Sequence, residues 1–237
     1  MSPTSPADSP RDVGVLIAAG GRGVRAGPGE PKQFRPVSGV PLLLRAIRPF
    51  ASHRRVGSIV VALPQPHAGH PPAWLDEVAG ERLRVVPGGE TRAASVRAAF
   101  RALPPDAGVV LVHDAARPFV SPETIDAVMT GALGGTSVVP GVAVSDTLKR
   151  VDATTAHVIE TVDRTGLWRA QTPQAFPRQV LERAYEASGD DGWRDMTDEA
   201  QLVEAAGFPV EVIPDLPTNI KVTTPEDFAV AEAMLDR

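Results

Sequence analysis

Short apolar segments alternate with amphipathic segments along most of this chain, and this alternation limits the fold more than any other feature. The apolar segments have the length of strands and are Val13–Ala18, Ser58–Leu63, Leu83–Val86, Val109–His113, Thr136–Pro140 and Val210–Ile213. The helical patterns between them are Leu42–Phe50, Ala93–Leu103, Pro122–Ala132, Arg178–Ala187, Asp198–Ala206 and Pro225–Leu235. Strands that alternate with helices predict an α/β fold with a Rossmann-like, mainly parallel sheet and helices on both of its faces.

Residues 142–166 interrupt this pattern. Polar and apolar side chains nearly alternate over Val142–Val151, a polar turn follows at Asp152–Thr155, and a second extended segment covers His157–Val162. The pattern predicts a protruding β-hairpin with a long turn. Because a lone hairpin is only marginally stable in water, we expect it to pack on the body of the protein or on a partner subunit.

Composition limits the domain organisation and the classes of partner. The 237 residues are enough for one large domain, expected at 13–237, whereas residues 1–12 are rich in Ser, Pro and Asp and are expected to form a disordered tail. A net charge of −5 argues against a nucleic-acid surface, and no apolar run reaches the roughly 18 residues of a membrane span. The absence of cysteine excludes disulfides and thiolate zinc sites and fits a reducing compartment, so we expect a cytoplasmic protein.

Three polar loops follow predicted strands, which is where ligands bind in open α/β sheets. The first contains Gly21-Arg22-Gly23-Val24-Arg25 and, after a spacer, Pro31-Lys32. The second is Gly88–Arg92, which precedes a helix that carries Ser95, and the third is Asp114–Pro118. Glycines let backbone N–H groups approach an anion, and the first loop adds two cations. The three loops are therefore expected to meet in one crevice that holds the phosphates of a nucleotide.

The first loop has competing interpretations. Gly21-x-Gly23-x-x-Ala26 formally fits the dinucleotide fingerprint, which requires a helix that begins at the loop. A spacer rich in Gly and Pro follows at 27–31, so no helix is expected before residue 41 and a dehydrogenase is disfavoured. Pro31-Lys32-Gln33 lacks the Gly-Lys-Ser/Thr of a Walker A loop. A glycine-rich surface turn with two solvated cations remains as the structural alternative.

Single polar residues have structural alternatives as well. Asp114 could bind Mg²⁺ through oxygen or cap the segment that follows it, and Arg117 could hold a phosphate or pair with Asp114. Arg92 could be a surface cation, Ser95 an ordinary small helix residue, and Thr197 a helix N-cap. The five histidines show no metal-ligand spacing, and no convincing Ser/His/Asp arrangement is present.

A series of motifs from about Val13 to Leu235 resembles one known family. The segments are the Gly-x-Gly-x-Arg…Pro-Lys loop, Gly88–Val96, Val112–Pro118, Asp146–Lys149, Val162–Trp168, Gln171–Gln174, Thr197–Ala200 and Asn219–Thr223. They are similar to those of the 2-C-methyl-D-erythritol 4-phosphate cytidylyltransferases of the non-mevalonate isoprenoid pathway. The related ribitol 5-phosphate cytidylyltransferases share the opening Pro-Lys-Gln-Phe, but Val162–Trp168 and Gln171–Gln174 favour the first family. A non-catalytic nucleotide-sugar-binding domain is a third alternative, and the retention of Arg25, Lys32, Asp114 and Lys221 argues against it.

The resemblance implies a reaction and a set of roles. The 4-phosphate of methylerythritol phosphate would attack the α-phosphorus of CTP, and pyrophosphate would leave. Arg25 and Lys32 would stabilise the transition state, Asp114 would bind Mg²⁺, and Arg164 and Lys221 would orient the attacking phosphate. The residues implied around the nucleotide are Ala19, Gly20, Gly21, Gly23, Gly89, Glu90 and Ser95. Those implied around the sugar-alcohol phosphate are Asp114, Arg117, Thr147, Arg164, Thr172, Thr197 and Lys221.

The resemblance also implies a homodimer in which the hairpin arm is exchanged, so that Thr147 and Arg164 reach the partner's site. One departure affects the first loop, where Ile17-Ala18-Ala19-Gly20-Gly21 carries an extra residue relative to the family pattern. Counting back from Lys32 assigns the catalytic arginine to Arg25, whereas counting forward from Ala18 assigns that position to Val24. Arg25 is preferred because valine cannot stabilise a phosphate.

Overall fold

A central sheet with helices on both faces forms the body of the computed structural model, which describes residues 11–21 and 29–236. The strands are β1 Val13–Ala18, β2 Pro36–Val37, β3 Val40–Pro41, β4 Val56–Leu63, β5 Leu83–Pro87, β6 Val109–Asp114, β7 Ser137–Ala143, β8 Leu148–Val151, β9 Val158–Val162, β10 Trp168–Ala170, β11 Gln174–Pro177 and β12 Val210–Pro214. The helices are α1 Leu42–Ala51, α2 Gln65–Ala68, α3 Trp74–Ala79, α4 Arg92–Ala102, α5 Pro122–Leu133, α6 Arg178–Ala187, α7 Glu199–Ala205 and α8 Pro225–Leu235, and a 3₁₀ turn covers Gly80–Arg82.

Eight of the strands in the described ranges form the main sheet, in the order β10, β7, β11, β6, β1, β4 and β5, with β12 paired to β7. The pairs of β1 with β4 and β6, of β4 with β5 and of β7 with β12 are parallel. Strands β10 and β11 run antiparallel to their neighbours. The prediction of a mainly parallel α/β sheet is confirmed.

Successive side chains of a strand point to opposite faces of the sheet, and helices cover both faces. Val15 and Ile17 of β1 belong to a core cluster that includes residues of α1 and α5. Leu16 belongs to a second cluster that includes residues of α4, α6 and α7. Gly14 shares the face of Leu16, and a Cβ atom at Gly14 would lie 2.5 Å from Leu103. This close approach lets the segment after α4 pack directly on β1.

The six predicted strands and six predicted helices are all present, and their ends shift by at most three residues. The short elements that were not predicted include the helices α2 and α3 and the strands β2, β3, β10 and β11. Strand β11 has only four residues and follows Pro173, so its sequence carries no periodicity. Its pairing with β6 and β7 is set by tertiary contact, which places Gln171–Pro173 beside the end of β6.

The predicted hairpin is present as the pair β8–β9, which forms a two-stranded antiparallel sheet of its own. Val142 and Ala143 belong instead to β7, because they pair with Arg169 and Trp168 of β10. The apolar side chains of Val158 and Ile159 are 59% and 62% exposed. A single chain therefore leaves the apolar surface of β9 uncovered.

Asp12 makes contacts with the sheet that the structure describes. Asp12, assigned from sequence to the tail, pairs with Arg55 at 2.7 Å, and its carbonyl accepts hydrogen bonds from Gly108 and Val109. These contacts attach Asp12 to the sheet, and the boundary at residue 13 stays a prediction. Residues 1–10 of the predicted tail lie outside the described residues. Of the helices that are described, none combines the length and the apolar character needed to cross a bilayer.

Candidate active site at the carboxyl ends of the parallel strands

A cavity of about 1030 Å³ opens where four parallel strands end. Its walls include Ala18–Gly21 after β1, Pro64–His67 after β4, Gly88–Arg92 after β5 and Asp114–Ala116 after β6. Lys32, Gln33, Leu42, Ser95 and Lys221 complete the lining, together with Pro31. The expected convergence of the three polar loops therefore occurs, and the loop after β4 adds a fourth wall.

The first two loops touch through glycines. A Cβ atom on Gly20 would lie 2.4 Å from Ser95 Oγ, and one on Gly88 would lie 3.0 Å from the Cα of Gly20. Ser95 Oγ accepts a hydrogen bond from the N–H of Gly89 at 3.2 Å and donates to the carbonyl of Thr91 at 2.9 Å. Ser95 thus fixes the loop that precedes α4. Because Gly20 and Gly88 have no side chains, the two loops can pack together.

Gln33 fixes the first loop from the other side. Its side-chain amide is buried and donates to the carbonyl of Ala19 at 2.9 Å and to that of Gly21 at 3.3 Å. Lys32, the preceding residue, lines the cavity and donates from Nζ to the carbonyl of Val222 at 3.1 Å. The two neighbours therefore have separate tasks, since Gln33 orders the end of β1 while Lys32 brings a cation into the cavity.

Asp114 lies at the end of β6 with a cation on each carboxylate oxygen. Arg92 Nε is 2.9 Å from Oδ1, and Lys221 Nζ is 2.6 Å from Oδ2. Burial alone would raise the pKa of Asp114, but the charges of Arg92 and Lys221 outweigh it and hold that pKa well below its usual range. Asp114 is therefore ionised at neutral pH and can offer oxygen to a cation.

Arg92 also holds a second buried carboxylate. Its Nη1 lies 2.9 Å from Glu199 Oε2 and 3.2 Å from Oε1, and the Glu199 side chain is only 3% exposed. Burial opposes the charge of Arg92, yet the two carboxylates raise its pKa above the usual value. The interpretation of Arg92 as a surface cation is corrected, because this side chain joins β6 to the start of α7.

A chain of hydrogen bonds lies behind Asp114. The N–H of Asp114 donates to Thr172 Oγ1 at 3.1 Å, Thr172 Oγ1 lies 3.0 Å from His113 Nδ1, and His113 Nε2 lies 3.0 Å from the carbonyl of Arg117. Complete burial lowers the pKa of His113 to about 4, so the imidazole is neutral at pH 7. A carbonyl can only accept, so Nε2 carries the proton and Nδ1 accepts from Thr172.

This chain of hydrogen bonds fixes Thr172 and Arg117 rather than exposing them to the cavity. Arg117 Nη1 donates a hydrogen bond to the carbonyl of Asn219 at 2.7 Å. Arg117 and Thr172 both lie behind the residues that line the cavity. Its Nε is buried, and no hydrogen-bond partner for it lies in the described part of the chain. Arg117 therefore retains hydrogen-bonding capacity beside Asp114, although its pairing with Asp114 is not direct.

The structure brings together most of the residues that the sequence assigned to the site. The predicted residues that line the cavity are Ala19, Gly20, Gly21, Lys32, Gly89, Glu90, Ser95, Asp114 and Lys221. Thr147 and Arg164 lie on the hairpin side of the chain, are exposed and do not line it. Thr197 also lies outside the lining, and its hydroxyl donates to Gln201 while Asp198 caps α7. Arg25 and Gly23 lie outside the described residues.

Four residues with clear structural roles were missed from sequence, namely Gln33, Arg92, His113 and Glu199. Gln33, Arg92 and His113 each adjoin a residue that was selected or stand in the same motif, and Glu199 follows Thr197 by two positions. Their signal was therefore present as polar residues inside the motifs. The sequence does not show which of these residues are buried. A buried polar group needs a hydrogen-bond or ion-pair partner, and this requirement gives each residue its structural role.

We expect Gly20→Ala to destabilise the protein by about 1–3 kcal/mol, because the new methyl group overlaps Ser95 and breaks its bond to the Gly89 N–H. Gly21→Ala is the matched control, since a Cβ atom there meets no atom of the described residues within 4 Å. Urea denaturation of both variants measures the difference. Equal stability of the two variants would contradict the close packing of the first two loops.

We expect His113 to make stability depend on pH. The folded pKa of about 4 lies below the usual value near 6.5, so the unfolded chain takes up a proton first as the pH falls. The stabilisation is therefore complete above pH 6.5 and is lost as the pH falls towards 4. The free energy of unfolding falls in the wild type when the pH is lowered from 7 to 4.5, and in His113→Gln this fall should be smaller by about 2–3 kcal/mol. His157→Gln, at an exposed position, should leave the slope unchanged.

Comparison with known proteins assigns this architecture to one family. A family model described as IspD, 2-C-methyl-D-erythritol 4-phosphate cytidylyltransferase, matches residues 13–237. The 2-C-methyl-D-erythritol 4-phosphate cytidylyltransferase of Streptomyces coelicolor is 45% identical over 238 residues, which cover 97% of this chain and 87% of the relative.

Solved structures agree with the sequence match. The crystal structure of 2-C-methyl-D-erythritol 4-phosphate cytidylyltransferase from Thermus thermophilus superposes with a TM-score of 0.78 at 33% identity, covering 95% of this chain and 100% of that one. The corresponding structure from Francisella tularensis gives a TM-score of 0.79 at 29% identity, covering 94% and 99%. Together with the cavity at the strand ends, these matches show that the chain belongs to the 2-C-methyl-D-erythritol 4-phosphate cytidylyltransferase family.

Proposed function

We propose that this chain is a cytidylyltransferase that joins CTP to 2-C-methyl-D-erythritol 4-phosphate in isoprenoid precursor biosynthesis. An oxygen of the 4-phosphate attacks the α-phosphorus of CTP and forms the new P–O bond. The bond from that phosphorus to the β-phosphate oxygen breaks, and pyrophosphate leaves with the electron pair. The observation that carries the proposal is the meeting of Lys32, Lys221 and Asp114 in one cavity of a chain that belongs to this family.

The barrier to this reaction is largely electrostatic, because two phosphate anions must approach one another. Cations held in place before the reaction lower that barrier without reorganisation during it. Lys32 is such a cation, since its ammonium already lies against the carbonyl of Val222 at the edge of the cavity. Arg25 is proposed as a second catalytic cation on the basis of the family motif. No strong general base is needed, because a phosphate monoester is already ionised near neutral pH.

The nucleotide is proposed to bind along the first two loops. Ala19, Gly20 and Gly21 present backbone at the end of β1, and Gly89 and Glu90 do so before α4. The helix α4 begins at the same place, and the dipole at a helix N-terminus favours an anion or a polar ligand. Gly23 is proposed for the same wall from the motif. Ser95 holds the second wall in shape through its bonds to Gly89 and Thr91.

Mg²⁺ is proposed as the cofactor, and Asp114 is the protein ligand that fits it. Asp114 supplies a carboxylate that is ionised at neutral pH, and no group of three or more potential metal-binding side chains occurs in the parts of the chain that the structure describes. Mg²⁺ commonly takes one or two carboxylates and completes its shell with water and substrate phosphates. When bound, the metal would neutralise charge on the phosphates of CTP. Asp114 would hold it, and Arg92 would keep that carboxylate in position.

The sugar-alcohol phosphate is proposed to bind near Lys221, and the family resemblance also proposes Arg117, Thr172 and Thr197 for it, although in this single chain these three residues lie outside the cavity lining. Thr147 and Arg164 lie on the exposed hairpin side of the chain, so their proposed role needs a second subunit. We therefore propose a homodimer in which the arm at residues 142–166 reaches the partner's site. The uncovered side chains of Val158 and Ile159 support such an interface. A cytoplasmic location remains a prediction from the composition.

The proposed function is tested by an assay of pyrophosphate release from the purified protein with CTP and Mg²⁺. The second substrate is either methylerythritol phosphate or ribitol 5-phosphate. Turnover is expected with methylerythritol phosphate and not with ribitol 5-phosphate. Turnover of ribitol phosphate alone would identify the related activity instead. No turnover of either, with CTP still bound, would favour a non-catalytic nucleotide-binding domain.

We expect Lys32→Ala to lower kcat by about 10²–10³ or more, because it removes a cation that acts on the reacting phosphates. The free energy of unfolding should change little, since a hydrogen bond such as that to Val222 contributes only about 1 kcal/mol. Arg183→Ala removes an exposed cation of α6 outside the cavity and serves as the control. Near-normal turnover by Lys32→Ala would overturn the assigned role.

We expect the protein to be a dimer in solution, with twice the 25.0 kDa mass of the chain by light scattering. Ile159→Asp places a charge on the exposed apolar side of the arm and should shift the protein towards monomer with loss of activity. Val230→Asp changes an equally apolar and 51% exposed residue on α8 and should do neither. A fully active monomer would rule out a site shared between subunits.

A further inference from the structure

The two cations on Asp114 are held very differently. Arg92 is 25% exposed and is fixed at its far end by two hydrogen bonds to the buried carboxylate of Glu199. Lys221 is 40% exposed, and Asp114 Oδ2 is the partner of its ammonium group among the described residues. Of the two, only Lys221 can leave Asp114 without abandoning another buried charge.

The backbone around Lys221 is fixed, so any movement is confined to the side chain. The N–H of Val222 donates to the carbonyl of Ala116 at 2.8 Å, and the carbonyl of Val222 accepts from Lys32. A lysine side chain is a compact charge on a flexible four-carbon stem and can change partners by rotation about its own bonds. The planar guanidinium of Arg92 lacks that freedom, because both of its edges are occupied by carboxylates.

We propose that Lys221 holds the place of the divalent cation on Asp114 and exchanges to the phosphate of the second substrate when the metal is loaded. This inference rests on the proposed function and adds an order to it. An ammonium and a divalent cation on one carboxylate would repel each other strongly at bonding distance, so metal binding at Asp114 would favour departure of the ammonium from Oδ2. The released charge then lies beside the cavity, where an incoming phosphate monoester is its natural partner.

Two consequences follow for the chemistry of the site. Before metal loading, the ammonium neutralises Asp114 and is not available to the sugar phosphate, so the second substrate binds weakly. After loading, the same lysine is free to orient the attacking oxygen. Lys221 thereby couples the metal and nucleotide half of the site to the sugar-phosphate half without any movement of the main chain.

The test measures metal-dependent CTP binding by calorimetry, with no second substrate and therefore no turnover. The quantity compared is the CTP affinity with Mn²⁺ divided by the CTP affinity with EDTA. This ratio separates the contribution of the metal from any general effect of charge on nucleotide binding. In Lys221→Met the competing ammonium is gone, so this ratio should rise by roughly fivefold over the wild type. Lys221→Arg keeps a cation beside Asp114 and should return the ratio towards the wild-type value.

Lys32→Met is the matched control, because it removes the other lysine of the same cavity but not a ligand of Asp114. Its ratio should stay within about twofold of the wild type. An unchanged or lower ratio in Lys221→Met, or an equal rise in Lys32→Met, would overturn the exchange while leaving the proposed activity intact. Absence of any CTP binding in the wild type would instead reject the proposed function and this inference with it.

Discussion

The contact of Arg92 with two buried carboxylates supports the rest of the site. Arg92 begins α4, Asp114 ends β6 and Glu199 begins α7, so one guanidinium joins three elements that are distant in sequence. Such a buried ion cluster adds little net stability compared with an apolar core, but removing one member leaves an uncompensated charge. Its value is geometric, because it fixes the orientation of the Asp114 carboxylate and leaves Oδ2 facing the cavity side of the cluster, where Lys221 lies.

The parallel sheet determines where this cluster and the loops can meet. Strands β1, β4, β5 and β6 all end at the same edge, and each sends a polar loop into the same cavity. The loops reach one another only because Gly20 and Gly88 have no side chains that would keep Ser95 away. Backbone proximity of this kind provides N–H groups for a charged ligand while the helices behind the sheet remain closely packed.

A neutral histidine keeps the back of the site in order. His113 is fully buried next to Asp114, and its two nitrogens connect Thr172 to the carbonyl of Arg117. A charged imidazole could not accept from the Thr172 hydroxyl, so the lowered pKa and the hydrogen-bond direction support each other. Arg117 in turn holds the carbonyl of Asn219, two residues before Lys221. The positions of the cations in the cavity thus depend on uncharged groups behind them.

The sequence by itself determined the alternation of strands and helices, the parallel sheet and the three loops, because hydrophobic periodicity and glycine-rich turns are local signals. The family motifs also selected Lys32, Asp114 and Lys221. The tertiary structure alone decided that Arg92 pairs with the buried carboxylate of Glu199, that His113 is neutral, and that β11 enters the sheet beside β6. These features depend on burial and on contacts between distant segments. Burial sets the cost of an unpaired polar group, and no local pattern records which partner will satisfy it.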